Sequence, residues 1–410
     1  MIPLLGKTWL PGAPSEILQG GRCQRWVEII VRNARRGRRY MASTGIPTME
    51  SVDQGLDQCH ADPIFVLGIA ERSGTTYLQD LLRLHPDCDV GGVELDEDHL
   101  VAHSDLLVQY VTLISRHWKG AVGVDQLEKE KGELYECLGA GLVNFLNSRL
   151  DSRVLLCGKS LRTKAVRRLV TKTPSVTNLH YFFKIFPHAP LLIIIRDGRA
   201  VVESSVKTFY RSYEQATREW ARQARTILRF CAETQGDNKY VIIKYEDLYN
   251  DPERELRKIL SFLCLDVGAY NLTAAVNLPL RGSSSLRREA GDVWRKGVAP
   301  GIHWAAVQKT AEFNPLTRWS YWSRAKHERF NWIAGNYLSE LGYARRSYDG
   351  NRFFWATWNF LLDSLPLEEA WWLLNKGIRE LRHSSEKSRT VIQLVVKFWG
   401  YLRKRRERIS

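Results

Sequence analysis

The stretch Pro63–Pro86, PIFVLGIAERSGTTYLQDLLRLHP, decides the fold. It opens as an apolar run of strand length, breaks at a glycine-containing turn, and then places Tyr77, Leu78, Leu81, Leu82 and Leu84 on one helical face. A strand that turns directly into a helix aims backbone N–H groups and the positive helix end at whatever lies above the turn. Phosphate or sulfate suits such a place. A nucleoside-triphosphate loop needs GxxxxGK followed by Ser or Thr, but Gly68 stands one residue too far from Gly74, and Thr75 occupies the lysine position. What remains is a cradle of Ser73, Gly74, Thr75 and Thr76 with Arg72 beside it, enough for a two-group anion without a metal ion. A bare Gly-Thr-Thr turn is also compatible with a purely structural role.

Outward from this stretch, short β-branched runs alternate with helical patterns as far as about Leu263, the signature of βαβ units and a parallel sheet. The predicted strands are Ile64–Gly68, Arg168–Lys172, Leu191–Arg196 and Tyr240–Lys244, and each precedes a helical stretch. The second is the least apolar, with only Leu169 and Val170 between its charged ends. The expected fold class is α/β, a P-loop-type parallel sheet flanked by helices, with a helical insertion over residues 99–150 and a helical C-terminal tail. A loop-rich stretch holding Ser283–Ser285 and Trp294–Gly297 follows, then a helix around Arg324–Gly342. The chain divides into a basic extension (1–60), the α/β domain (61–346) and an aromatic, basic tail (347–410).

A net charge of +15 attracts anions of every kind, and 44% hydrophobic with 26% charged residues is ordinary for a globular protein. Two basic clusters, Arg32–Arg39 and Arg403–Arg408, read as solvated faces or as contacts to an anionic membrane surface. Seven dispersed cysteines without a CxxC pair point to reduced thiols and a cytoplasmic setting, with peripheral membrane contact as an addition. Met1–Gly20 lacks the apolar core of a signal peptide, and Phe353–Leu374 is too interrupted by polar residues to span a bilayer. Nucleic acid is not an expected partner.

In RDGRAVVES a strand delivers Arg196 and the following helix delivers Ser204, so both can converge on one phosphate. Arginine gives fork-shaped, charge-assisted bonds to such a group. A surface pair between Arg196 and Asp197 is the alternative reading. Tyr245 ends the strand YVIIK and reads equally as a base-stacking ring or a core aromatic.

Taken together, ERSGTTYL at 71–78, TKTP at 171–174, IIIRDGRAVVESS at 193–205 and KYEDL at 244–248 resemble the sulfotransferases that use PAPS (3′-phosphoadenosine 5′-phosphosulfate), particularly the protein-tyrosine type and its bacterial relatives. Their order and spacing match over roughly residues 63–263, and more weakly to about 346. The resemblance implies sulfuryl transfer from PAPS to a hydroxyl acceptor, with adenosine 3′,5′-bisphosphate as product and no metal. It assigns Arg196 and Ser204 to the 3′-phosphate, Tyr245 to the adenine, and Arg72 and Lys172 to stabilising the leaving group. Glu94, in HPDCDVGGVELDEDH, lies one residue from the family's catalytic glutamate, within a run that also holds Asp96, Glu97, Asp98 and His99. Other branches use histidine as the base, which keeps His99 and His103 open. WRKG at 294–297 looks like the family's late nucleotide-closing element, giving Arg295 and Lys296. Ser283, Ser284 and Ser285 precede WRKG at a distance where the family has a serine near the transferring group, and Ser285 is the preferred match.

Two other classes compete. A P-loop kinase lacks its lysine at Thr75 and a clear strand ending in the second metal-binding aspartate. A non-catalytic module would dock acidic partners or membranes through its basic ends and tryptophans. The acceptor stays open among a peptide tyrosine, a sugar, a lipid head group and a small alcohol.

Overall fold

The first strand, β1 (Ile64–Gly68), is buried at every position, which is why its sequence is a continuous apolar run and not an alternation. Phe65 and Leu67 face one hydrophobic cluster with Trp220, Phe182 and Phe330. Ile64 and Val66 face a second with Tyr77, Leu78, Leu256 and Leu260, as the two-residue period of a strand requires. The computed structural model describes residues 62–90, 97–119, 123–156, 167–209, 211–234, 239–281, 314–348 and 352–364.

Helix α1 (Thr75–Leu82) follows β1 and turns Tyr77, Leu78, Leu81 and Leu82 inward, while Leu84 lies past its end. Next come the two-residue strand β2 (Cys88–Asp89) and the inserted helices α2 (Ser104–Ser115) and α3 (Val124–Leu156). Strand β3 (Arg168–Thr173) and strand β4 (Leu191–Ile195) flank β1 on its two sides. Helices α4 (Gly198–Phe209) and α5 (Tyr213–Glu233) lead to β5 (Tyr240–Lys244), beside β4. Then α6 (Tyr245–Asn250), α7 (Pro252–Phe262), α8 (Arg324–Glu340) and α9 (Arg352–Ser364) complete the described helices that bear on the site.

The five strands are parallel throughout, in the order β2-β3-β1-β4-β5. The α/β fold expected from the alternation is therefore present. Because β2 and β3 lie on one side of β1 and β4 and β5 on the other, the chain crosses over after β3, and a crevice opens at the carboxyl ends of β1, β3 and β4. Sequence places the strands correctly, with two adjustments: β3 runs on to Thr173, and β4 stops at Ile195 so that Arg196 begins the turn. β2 has no sequence signal, since two residues are too few to show a period. Charged Arg168 is buried in β3 because its guanidinium donates to the backbone oxygens of Asp62 (3.2 Å) and Leu263 (2.8 Å). Among the described residues no helix is long and apolar enough to cross a membrane.

Candidate active site

Between β1 and α1 the backbone takes left-handed conformations at Arg72 (φ 74°) and Gly74 (φ 103°), which wind the chain tightly enough to present the first N–H groups of α1 to the crevice. No side chain caps that helix end and no acidic residue stands in its first turn. Gly74 is required twice over, by its positive φ and by the Tyr245 ring, whose Cδ2 lies 2.3 Å from where a β-carbon would sit. Gly74→Ala is expected to destabilise the fold by about 2 kcal/mol or more. The denaturant midpoint should fall accordingly, whereas Gly141→Ala, on α3 with open space around it, should leave the midpoint unchanged or raise it.

One cleft of about 230 Å³ is lined by Arg72, Gly74, Thr75, Thr76, Arg196, Ser204 and Tyr245. Seven residues named from separate motifs thus share one cavity. Arg72 Nε donates to Ser204 Oγ at 3.2 Å. Arg196 donates through its two terminal nitrogens to the backbone oxygens of Arg72 (2.8 Å) and Pro315 (2.5 Å), and its guanidinium lies 4.3 Å from the centre of the Tyr245 ring. Asp197 does not pair with Arg196. It turns to Arg199, at 2.6 Å, and both are buried, so the surface pair considered from sequence is not formed. Tyr245 fulfils part of each reading, buried to 4% exposure among core residues yet bordering the cleft beneath Gly74 and Arg196.

Other predicted residues are placed differently. Ser73 belongs to the turn, but its hydroxyl is fully buried toward Gly68 and does not line the cleft. Lys172 is fully buried at the end of β3, with its ammonium 3.4 Å from Glu97 Oε1, and it is Glu97 that reaches the cleft wall. His99 lies on the far side of Glu97, Nε2 to Oε2 3.3 Å, and His103 is exposed. Glu94, Ser285, Arg295 and Lys296 lie outside the described residues, as do residues 1–61 and 365–410.

The structure adds residues that the sequence did not single out. Arg318 and Arg281 line the cleft, together with Glu71 and Glu97. Glu97 is held in place by its neighbour Asp98, which accepts from Thr171 (2.5 Å) and Thr173 (3.2 Å), and whose N–H donates to the Lys172 oxygen. Nothing in the acidic run 94–98 marks Glu97 as a residue that lines the cavity. Arg318 sits in NPLTRW, which matches no motif.

Among its described lining residues the cleft holds more cationic than anionic side chains. Burial, and then the neighbouring Arg196 charge, pull the Arg72 guanidinium down to about 10. Arg318 is pulled down to about 10 by burial, then by Arg196, with Arg72 contributing in the same direction. Four arginines, Arg72, Arg196, Arg281 and Arg318, thus line one cavity; Arg281 pairs with Asp80, and of the lining carboxylates Glu71 is engaged by Arg211 at 2.7 Å. Among the described residues, Arg196 Nε and the Ser73 hydroxyl are buried without a hydrogen-bond partner.

A model of the sulfotransferase family matches residues 63–268, which contain the turn, Lys172, Arg196, Ser204 and Tyr245. Protein-tyrosine sulfotransferases are among the similar proteins. That of Drosophila melanogaster is 26% identical over 209 residues, covering 49% of this chain and 38% of the relative. Protein-tyrosine sulfotransferase 1 of Danio rerio is 26% identical over 49% of this chain and 53% of its own length, and that of Homo sapiens 28% over 50% and 52%. The chain thus spans about half or less of these relatives. Among solved structures, the sulfotransferase domain from the curacin biosynthetic pathway covers 70% of this chain and 99% of its own at 16% identity, with a TM-score of 0.40. Since the family model accounts for half of the sequence and encloses the strands and turns that build the cleft, the chain belongs to the sulfotransferase family.

Proposed function

We infer that this chain transfers a sulfuryl group from PAPS to a hydroxyl acceptor. The observation that carries the reading is the convergence of the α1 turn, Arg72, Arg196 and Ser204 on one cleft. That set fits a nucleotide with phosphates at two positions: an uncapped helix end and Arg72 suit the phosphosulfate, and Arg196 with Ser204 suits the ribose 3′-phosphate. The buried Arg196 Nε, still without a partner, is the kind of donor such a phosphate satisfies. When bound, PAPS supplies the sulfuryl group on a phosphate leaving group, so the protein's work is positioning and charge stabilisation.

Each chain residue then has a part. The N–H groups of Thr75 and Thr76 and the Arg72 guanidinium hold negative oxygens in line with the acceptor. Lys172, fully buried behind Glu97, acts on the departing oxygen through its positive charge and not through a direct contact. Glu97, between Lys172 and the cavity, is the described carboxylate best placed to take the acceptor proton, and Glu94 is the second choice. Relatives named for protein tyrosine make a phenolic hydroxyl the first acceptor to try.

Adenosine 3′,5′-bisphosphate is expected to bind at least about tenfold more tightly than 5′-AMP, as one additional charge-assisted contact dictates, in a calorimetric titration without metal. Labelled PAPS should then pass label to a hydroxyl acceptor. Magnesium-dependent ATP binding with no affinity for the bisphosphate would overturn the reading in favour of a kinase.

A further inference from the structure

Residues 314–323 form a strap fastened at several points to the elements that make the cleft. The Pro315 oxygen accepts from Arg196 at 2.5 Å. The Trp319 ring lies 3.7 Å from the Arg199 guanidinium. Trp322 donates from Nε1 to Glu203 Oε2 at 2.7 Å, and the Tyr321 hydroxyl donates to the other oxygen of the same carboxylate. Ser323 then caps α8, its hydroxyl accepting from Lys326 N. Arg318 lies between these anchors, and it lines the cleft with Pro315.

The carboxylate of Glu203 joins this strap to α4. It is fully buried on α4, directly before Ser204, a costly place for a carboxylate unless its oxygens are fully used. Three donors meet it: Tyr213 at 2.6 Å, Trp322 and Tyr321, with the Lys207 ammonium 3.1 Å away. Two of those hydroxyl and indole donors belong to the strap. A single helical turn therefore presents Ser204 to the cleft and, through its neighbour, ties down the segment that brings Arg318 there.

Resting on the donor site inferred above, we propose that Arg318 is a third phosphate-binding arginine that selects a doubly phosphorylated nucleotide, and that Glu203 is the positioning residue that holds its strap. A nucleotide with two phosphates brings twice as many anionic groups as a monophosphate to a cleft whose wall carries Arg72, Arg196 and Arg318. Two phosphates on one ligand match three guanidinium groups well.

Calorimetric titrations with adenosine 3′,5′-bisphosphate and with 5′-AMP test the proposal on wild type, Arg318→Ala, Arg318→Gln, Glu203→Gln and the double variant Glu203→Gln/Arg318→Ala. Arg318→Ala and Arg318→Gln are expected to lose about 10- to 100-fold in affinity for the bisphosphate and about threefold or less for 5′-AMP. Glu203→Gln should lose a smaller factor, and adding it to Arg318→Ala should cost nothing further, because both act through one contact. A structural role for Glu203 alone would weaken both nucleotides alike and would add to the Arg318 effect, which overturns its assignment. Wild-type affinity for the bisphosphate in both folded Arg318 variants overturns the proposal while leaving the donor site standing. Failure of the wild-type protein to bind the bisphosphate sinks the donor site itself, and this proposal with it.

Discussion

Arg196→Ala is expected to lower affinity for adenosine 3′,5′-bisphosphate by about a hundredfold or more and to leave the variant binding it little better than 5′-AMP. The size follows from how many contacts meet at this guanidinium. It bridges the α1 turn, through the Arg72 oxygen, to the strap, through the Pro315 oxygen, and packs on Tyr245, with its Nε buried and without a hydrogen-bond partner. Truncation removes a charge that would meet the second phosphate, strips two buried carbonyls of their donor, and loosens the strap that carries Arg318. Arg196→Lys should recover little, because a point charge cannot bridge two carbonyls and an anion at once. Calorimetry with the two nucleotides separates the effects: a selective loss for the bisphosphate supports the role, and equal affinity in wild type and variant refutes it. Some loss of melting temperature should accompany the substitution, since the stripped carbonyls are unsatisfied with or without ligand.

How much of this was readable in advance depends on the scale at which each feature is encoded. Buried parallel strands announce themselves as runs such as Leu191–Ile195, because both faces must be apolar. The turn at Arg72–Thr76 is legible because it needs glycine at position 74, where φ is positive and the Tyr245 ring lies close, and small hydroxyl residues at the helix start. Arg196 and Ser204 could be paired from sequence because a strand end and the first turns of the next helix must lie together. Adjacency misled at Asp197, whose side chain leaves the turn on another side and meets Arg199. The burial of Lys172 is not legible in TKTP, and its partner Glu97 comes from a segment tied to β3 by hydroxyl groups that no periodicity reveals. Arg318 was beyond reach for a similar reason. Its position is set by Trp319, Tyr321 and Trp322 finding buried partners on α4, which is a tertiary fact.

Lys172→Met is expected to lower kcat by about a hundred- to a thousandfold while changing bisphosphate affinity by about threefold or less, the pattern of a contact that matters mainly as charge develops. Methionine preserves the apolar stem inside β3, so the sheet should hold, and only the ammonium beside Glu97 is lost. Glu97→Gln separates the two carboxylate functions. If Glu97 takes the acceptor proton, the variant loses kcat by about a hundredfold or more, and the acidic limb of the pH–rate profile disappears with it. If Glu97 serves only to hold Lys172, the double variant Glu97→Gln/Lys172→Met is no slower than Lys172→Met alone, and the acidic limb survives in the single variant. Glu94→Gln run beside them decides which carboxylate is the base, since only the true base removes that limb. An unchanged kcat in Lys172→Met would remove the lysine from the chemistry and leave its burial beside Glu97 as a structural ion pair.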